Sequence, residues 1–178
     1  MQPQLPPPDP LPETMTSSPM PDLRALKDAF GAFMTGVTVV STLDTRGEPQ
    51  GFTANSFTSV SLDPPLLLVC PGRALSCFDA FARCERFAVS ILSDRQRGVS
   101  DLFATTDSDR FQRADWEPDA DGCPVIANAA ASFGCRTHSR TEAGDHVVLI
   151  GSIERFSASR SGVLGYHRGD YFERPAAD

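Results

Sequence analysis

The sequence lacks a long hydrophobic segment and an excess of basic residues. Its longest apolar run, Leu66 to Cys70, is far shorter than the roughly 18 residues that a membrane-spanning helix needs. Acidic residues outnumber basic ones by 23 to 16, which gives a formal charge of -7. A nucleic-acid groove or an anionic membrane requires a basic face, so we expect neither as a partner. The amino terminus lacks a basic segment followed by an apolar stretch, so we expect no signal peptide and a soluble, cytoplasmic protein.

Paired metal-binding motifs are also lacking. The chain has five cysteines, none at C-x2-C spacing, and only three histidines, so we predict no metal site. An odd number of cysteines without an export signal is typical of reduced thiols. Cys70, Cys77 and Cys84 recur every seven residues, but burial as small hydrophobic side chains is the favoured interpretation.

The common catalytic signatures fail as well. The sequence contains neither the G-x-G-x-x-G of a dinucleotide-binding Rossmann fold nor the G-x-S-x-G of a hydrolase. Gly31 and Gly36 have the glycine spacing of a phosphate loop, but Val37-Thr38 replaces the required Lys-Ser/Thr. Asp145 and His146 are adjacent and cannot form a catalytic triad alone. A hydrolase is therefore disfavoured.

The first 21 residues differ from the rest of the chain. They hold eight of the fifteen prolines and almost no large apolar side chains. Such a segment cannot bury enough surface to offset its ordering entropy, so we predict a disordered tail over residues 1–21. Residues 22–175 are predicted to form the folded domain.

Apolar periodicity within this domain predicts mostly strands. Helices are expected over residues 23–34, 75–84 and 94–103. Strands are expected over residues 37–43, 52–60, 66–70, 87–92, 132–139 and 146–156, with an acidic surface loop over 105–124. Short strands joined mainly by hairpins predict a mainly β fold with helical additions, an antiparallel barrel. The alternative, a doubly wound α/β sheet, is disfavoured because strands often follow one another without an intervening helix.

Polar residues crowd one of these strands. Residues 51–59 carry amide and hydroxyl groups at consecutive positions, so both faces of the sheet present them. From composition alone an edge strand with a solvated face is favoured. The alternative is a strip that binds a planar ligand rich in heteroatoms.

Six segments, in order along residues 23–172, together resemble the flavin reductase family, the small reductase components of two-component flavin monooxygenases. They are Met34-Thr35-Gly36-Val37-Thr38-Val39-Val40, Gly51-Phe52-Thr53-Ala54-Asn55-Ser56-Phe57, Val60-Ser61-Leu62-Asp63-Pro64-Pro65-Leu66, Phe87-Ala88-Val89-Ser90-Ile91-Leu92, Gly144-Asp145-His146 and Tyr166-His167-Arg168-Gly169-Asp170-Tyr171.

The resemblance implies an antiparallel split β-barrel that binds FMN or FAD as a homodimer. It implies reduction of the flavin by NADH or NADPH, with the reduced flavin diffusing to a partner monooxygenase. Two alternatives stay open. One is a flavin-binding store or redox sensor without turnover, and the other is a flavoenzyme that keeps its flavin and reduces a separate substrate.

The resemblance also implies residues that bind the flavin. Phe103 and Arg110 match a family segment that approaches the flavin, although Arg110 could instead be a surface residue that neutralises Asp107 and Asp109. Ser76 and Cys77 are expected to open the helix over 75–84, where unpaired N–H groups suit a phosphate. The further flavin-binding residues implied are Thr53, Ala54, Asn55, Ser56, Cys70, Pro71 and Gly72.

A second set of residues is implied for the nicotinamide nucleotide. His146 is expected near the stacked rings as the catalytic candidate, the alternative being a strand-entry histidine paired with Asp145. The other implied contacts form one segment, in which Arg168 offers a positive fork to a pyrophosphate; the alternative is an ordinary polar turn. Its residues are His167, Arg168, Gly169 and Asp170. The chain departs from the family pattern at His167, often an aromatic residue, and at Gly165, usually a large apolar one.

Overall fold

The computed structural model describes residues 22–176, so the predicted tail lies outside the described residues. The helices are α1 (Leu23–Gly31), α2 (Phe78–Arg83), α3 (Arg97–Phe103) and α4 (Arg110–Arg113). The strands are β1 (Thr35–Gly36), β2 (Thr38–Leu43), β3 (Pro49–Ala54), β4 (Thr58–Leu62), β5 (Pro65–Val69), β6 (Arg86–Ile91), β7 (Trp116–Pro118), β8 (Pro124–Ile126), β9 (Ala131–Ala143), β10 (His146–Ala158), β11 (Val163–His167) and β12 (Asp170–Arg174).

Seven strands form one antiparallel sheet in the order β3-β2-β6-β9-β10-β5-β4. Its two edge strands are neighbours in sequence, since only residues 55–57 connect Ala54 of β3 to Thr58 of β4. That connection spans at most about 14 Å at roughly 3.5 Å per residue, so the sheet must curl until its edges approach each other. Within residues 22–176 no backbone pairing joins β3 to β4. This curled antiparallel sheet confirms the predicted mainly β fold.

A smaller sheet, β1-β11-β12, covers one side of this curled sheet. The β11–β12 hairpin turns through Arg168 and Gly169, whose φ angles of 50° and 91° suit a two-residue hairpin turn that requires positive φ. The backbone N–H of Arg168 donates to the carbonyl of Gly31 at 2.9 Å. The end of α1 therefore holds the tip of the hairpin in place.

Two hydrophobic clusters hold the large sheet. Strand β2 is buried along almost all its length, and its side chains alternate between the two faces of the sheet. Val40 joins a cluster with Phe81 of α2 and Phe87 of β6. Val39 joins the other cluster with Phe103 of α3. The helices thus cover opposite faces of the sheet, and the ends of β2 and β3 lie between them.

Several predicted boundaries were wrong. The strand predicted over 52–60 is broken at residues 55–57, because β3 and β4 pair with different neighbours at opposite edges of the sheet. The helix predicted over 75–84 begins at Phe78, so Ser76 and Cys77 precede it. Strands β11 and β12 were not predicted, and the predicted loop over 105–124 contains α4 and β7.

The first helix and Gly165 also differ from expectation. Helix α1 ends at Gly31, before Phe33 and Met34, and none of its residues is buried. Gly165 pairs with Phe172 across the hairpin, and a Cβ at Gly165 would lie 2.1 Å from the Phe172 ring. Phe172 thus fills the space that a larger residue at position 165 would need. Across residues 22–176, every helix is too short or too polar to traverse a bilayer.

Candidate functional site

Asn55, the residue that follows β3, lines several cavities, three of which also contain other residues predicted for the site. We name each after one residue of its lining. The Arg110 cavity encloses about 330 Å³, the His146 cavity about 630 Å³ and the Arg168 cavity about 550 Å³. Their convergence puts segments that are far apart in sequence around one polar side chain.

Most residues predicted to contact the flavin line the first two cavities. Thr53, Ala54 and Asn55 line both. The Arg110 cavity also includes Ser76, Cys77, Phe103 and Arg110, and the His146 cavity also includes Ser56, Cys70, Gly72 and His146. Pro71 lines neither cavity, and its carbonyl accepts a hydrogen bond from the Val147 N–H at 3.0 Å.

Arg110 is the most unusual residue of the site, since it is a charged side chain only 7% exposed. Its Nη1 donates to the Gly51 carbonyl at 2.7 Å and its Nε to the Asp107 carbonyl at 2.9 Å. Its Nη2 lies 3.4 Å from the Ser76 hydroxyl. These contacts fix the guanidinium plane but give its positive charge no negative partner.

The surface interpretation of Arg110 is therefore wrong. The Asp107 carboxylate forms its ion pair with Arg113 at 2.7 Å. The hydrogen bond from the Asp109 N–H, then Arg113 and last the more distant Arg110 lower the pKa of that carboxyl. Within residues 22–176 no carboxylate lies within 4.0 Å of the Arg110 guanidinium. A buried cation without a counter-ion is costly, and an anionic ligand in the cavity would compensate that cost.

The predicted phosphate site at a helix amino terminus differs from the structure, in which Ser76 precedes the helix and lies beside the Arg110 guanidinium. Helix α2 has only six residues, and its N-cap Cys77 makes no side-chain capping hydrogen bond. Ser76 lies one residue earlier and faces Arg110 Nη2. A guanidinium and a hydroxyl together suit a phosphate group, which accepts several charge-assisted hydrogen bonds.

The hydroxyl groups of the predicted flavin strip are partly used inside the protein. Thr53 Oγ1 donates to the Ser100 carbonyl of α3 at 2.7 Å, and Ser56 Oγ accepts from the Cys70 N–H at 3.0 Å. Ser100 Oγ in turn lies 2.8 Å from the Tyr171 hydroxyl. These bonds tie Thr53 to α3 and Ser56 to Cys70, so both hydroxyls are held in place in the wall that β3 and the residues after it give the site.

His146 begins β10 at the edge of its cavity. Its Nδ1 lies 2.8 Å from Asp145 Oδ1, and that hydrogen bond lowers the pKa of the Asp145 carboxyl. Its Nε2 faces Gly72, where an added Cβ would approach to 3.2 Å. His146 is thus paired with Asp145, as the alternative interpretation expected. This pairing leaves Nε2 beside Gly72 at the edge of the cavity.

Two cysteines also line the site. Burial raises the pKa of the Cys70 thiol. Burial likewise raises the pKa of the Cys77 thiol, while the charge of Arg110 opposes that shift. Cys77 Sγ is 3.7 Å from the Gly51 carbonyl, to which it donates. Both residues are therefore neutral thiols at neutral pH and offer no thiolate nucleophile.

The predicted nicotinamide segment is only partly at the site. Arg168 and Gly169 line the Arg168 cavity, whereas His167 and Asp170 line none of the three cavities. His167 and Asp170 pair with each other as the last residues of the hairpin. The turn therefore contributes its tip to the site.

Sequence reasoning missed several lining residues. Tyr166 lines both the Arg110 and Arg168 cavities, and Tyr171 lines the Arg110 cavity. Both tyrosines belong to the last of the six segments that resemble the family, and they flank its turn on either side. Their placement in that segment could have marked them as candidates. Thr105 and Thr106 also line the Arg110 cavity, from a loop that carries no recognisable motif.

The comparisons with known proteins agree with this geometry. A family model described as the flavin reductase like domain matches residues 30–174, and the chain belongs to this family. A probable flavin reductase of Rhizobium meliloti is 52% identical over 151 residues, which cover 85% of this chain and 49% of that protein. The chain therefore spans about half the length of that relative.

Two further proteins are similar over most of their own length. The reductase subunit HsaB of a flavin-dependent monooxygenase from Mycobacterium tuberculosis is 36% identical, with 84% of this chain and 81% of that protein covered. The structure of the NADH:FAD oxidoreductase SgcE6 of Streptomyces globisporus, in complex with NAD and FAD fragments, superposes with a TM-score of 0.82. That pair is 37% identical and covers 88% of this chain and 94% of the other.

Proposed function

We propose that the protein is an NAD(P)H:flavin oxidoreductase that reduces FMN or FAD and supplies reduced flavin to a partner monooxygenase. The observation that carries the proposal is the buried Arg110 guanidinium, which has a hydroxyl but no carboxylate beside it within the described chain. The membership of the flavin reductase like family and the reductases among its relatives support it.

The residues present fit a flavin. Arg110 and Ser76 would hold its phosphate, and the apolar Phe103 and the β3 wall would line the ring system. When bound, the flavin ring accepts a hydride from the nicotinamide, and this chemistry belongs to the two cofactors. The contribution of the chain is to bind both molecules, align them at Asn55 and exclude water.

His146 has a positioning function in this proposal. Asp145 holds Nδ1, so a neutral imidazole carries its proton on Nδ1 and presents Nε2 as an acceptor. Nε2 beside Gly72 can then accept a hydrogen bond from a bound substrate. The proposal requires no acid or base among the side chains, which agrees with the neutral thiols in the cavity.

The proposal includes a cytoplasmic homodimer. Large apolar side chains are exposed on β4 and at the distal part of β10, including Leu62 at 94% and Phe156 at 75% exposure. Burial of these side chains against a second copy would remove apolar surface from water. The five cysteines are free, as is usual in a reducing compartment. Size-exclusion chromatography with light scattering tests the dimer, and a monomeric mass at micromolar concentration would contradict it.

The activity is tested by anaerobic oxidation of NADH and NADPH with and without added flavin. We expect oxidation only with added FMN, FAD or riboflavin, and reduced flavin should pass a filter that retains the protein. Absence of flavin-dependent oxidation with either nucleotide would contradict the enzyme and leave a binding protein. Turnover by a yellow protein that keeps its flavin through gel filtration would contradict the diffusible product.

A further inference from the structure

Ser100 of α3 is a buried polar residue beside the Arg110 cavity. It is 0% exposed and does not line the cavity, but it bonds to two residues that do, Thr53 and Tyr171. We propose that Ser100 is a positioning residue, whose hydroxyl donates to the Tyr171 oxygen and thereby directs the Tyr171 O–H to an acceptor atom of the flavin. The identity of the ligand as a flavin rests on the proposed function.

The direction of this hydrogen bond follows from the partners of the two hydroxyls, which lie 2.8 Å apart. Within residues 22–176 the Ser100 hydroxyl has Tyr171 as its only hydrogen-bond partner. Each hydroxyl has one proton to donate, and burying a donor without an acceptor is costly. Ser100 therefore donates and the Tyr171 oxygen accepts. The Tyr171 proton then has no acceptor in the described chain and is available to a molecule in the cavity.

The two residues are also held in place by their neighbours. The Ser100 carbonyl accepts from Thr53 Oγ1 of β3 at 2.7 Å. The Tyr171 ring packs edge-on against Tyr166 with centroids 5.3 Å apart, and the Arg97 guanidinium lies 5.2 Å from its centroid. A ring that is already fixed loses little further freedom when its hydroxyl binds a ligand. The Tyr171 hydroxyl is thus preorganised as a donor.

The position of this pair along β3 indicates which part of the flavin it meets. Arg110, which is proposed to hold the phosphate, donates to the Gly51 carbonyl. Ser100 accepts from Thr53, two residues further along the strand, which is about 7 Å at roughly 3.4 Å per residue. That spacing is comparable to the length of a ribityl chain. We therefore expect Tyr171 to donate to the ribityl chain or the ring rather than to the phosphate.

The test measures the Kd of FMN and of riboflavin by fluorescence quenching, for Tyr171→Phe, Ser100→Ala and the double variant. Tyr171→Phe removes only the hydroxyl, so both Kd values should rise about two- to tenfold, the effect of losing one hydrogen bond. Ser100→Ala should raise both Kd values at least about twofold. It should change neither value in the Tyr171→Phe background, because Ser100 acts through Tyr171.

Ser90→Ala is the matched control. Ser90 is also 0% exposed, and its hydroxyl accepts from the Ile126 N–H at 3.1 Å, but it lines none of the three cavities. This variant loses a buried hydrogen bond, so its melting temperature should fall while its flavin Kd stays unchanged. In steady state, Tyr171→Phe should raise the KM for riboflavin at unchanged kcat, whereas a partly unfolded variant lowers kcat at unchanged KM.

An unchanged Kd in Tyr171→Phe would overturn the proposal, because no ligand atom would then accept from this hydroxyl. A loss for FMN without one for riboflavin would also overturn it, since the hydroxyl would then lie at the phosphate. Ser100 would be a structural residue only if Ser100→Ala had the same effect with and without the Tyr171 hydroxyl. An equal loss of flavin affinity in Ser90→Ala would lead to the same conclusion.

The titration separates this inference from the reductase function, because it needs no nicotinamide nucleotide. The expected pattern of Kd values in a protein that fails to oxidise NADH and NADPH would reject the reductase and retain the hydrogen bond. Flavin-dependent oxidation together with an unchanged Kd in Tyr171→Phe would reject the hydrogen bond alone.

Discussion

Two groups of arginines on this molecule have opposite environments. Arg86, Arg136 and Arg155 lie on the outer face of β6, β9 and β10, where their side chains are 30% to 61% exposed. Each pairs with a carboxylate of Asp121 or Glu154. Arg110 lies in the cavity, buried, and donates to backbone carbonyls and a serine.

The difference indicates what each group does. Exposed ion pairs contribute little to stability, because water solvates the separated charges nearly as well. A buried guanidinium with no carboxylate at ion-pair distance in residues 22–176 is costly, and in the proposed function an anionic ligand offsets that cost. The buried charge of Arg110 is therefore a better indicator of the proposed site than the surface cluster of Arg86, Arg136 and Arg155.

The largest expected effect is on flavin binding by Arg110→Met. Loss of a charge-assisted hydrogen bond to phosphate costs about 1.5–3 kcal/mol, so we expect the flavin Kd to rise at least about tenfold. Quenching of flavin fluorescence on titration measures this. Because riboflavin has no phosphate, its affinity should change much less.

Arg136→Met is the matched control from the other group of arginines. It removes the same charge from a side chain that is 61% exposed and paired with Glu154. Its flavin Kd should stay within twofold of the unmodified value. Equal losses in both variants, or equal losses for FMN and riboflavin in Arg110→Met, would remove the distinction between the two groups.

The second expected effect is a loss of stability at alkaline pH. Burial is the main cause that raises the pKa of Cys123 and Cys135 from 9.0 to about 12, followed by Asp119 for Cys123 and by the Cys123 thiol for Cys135. The unfolded chain releases these protons near pH 9, whereas the folded protein holds them. The free energy of unfolding should therefore fall as pH rises above 9, by about 1–3 kcal/mol between pH 8 and pH 10.

Urea denaturation at several pH values measures this slope. The double variant Cys123→Ala/Cys135→Ala should show a smaller slope. Cys77→Ala should reduce the slope less, because the charge of Arg110 opposes the effect of burial on Cys77. If the double variant and the unmodified protein have equal slopes, the raised pKa values of Cys123 and Cys135 are not the cause of the alkaline loss of stability.

A smaller effect is expected for Ser76→Ala. This change removes the hydroxyl beside Arg110 Nη2 but leaves both backbone contacts of the guanidinium. Loss of one neutral hydrogen bond costs about 0.5–1.5 kcal/mol, so the Kd for FMN should rise about two- to tenfold. Ser132→Ala serves as the control, because Ser132 is a half-buried serine on β9 whose hydroxyl bonds to Ser157 and lines none of the three cavities. An FMN affinity unchanged by Ser76→Ala would place the phosphate elsewhere.

The smallest effect is expected for Glu154→Gln. Hydrogen bonds from Arg136 and then Arg86 lower the pKa of the Glu154 carboxyl. Both ion pairs of Glu154 are partly exposed to solvent. We expect the melting temperature to fall by less than about 4 °C at pH 7. Flavin affinity should not change. A loss of flavin binding would show that the outer charge cluster acts on the cavity.

The sequence predicted the elements whose signal is local. The β2–β3 hairpin and the β9–β10 hairpin follow from alternating side chains around turn residues, and both are confirmed. The break at residues 55–57 was not predictable, because Asn55 and Ser56 have the same character as Thr53 and Thr58. The β11–β12 hairpin was missed because Gly165 interrupts its apolar pattern.

By itself the sequence determined the mainly β class, the reduced cysteines and, through six short segments, the resemblance to flavin reductases. The tertiary structure decided that Arg110 is buried, that Pro71 lies outside the three cavities and that Arg168 and Phe33 line one cavity together. Periodicity and motifs report neighbours within a few residues. The site instead depends on a curled sheet that brings residues 55, 110, 146 and 168 together, and strand order and burial of this kind are set by pairing between distant segments.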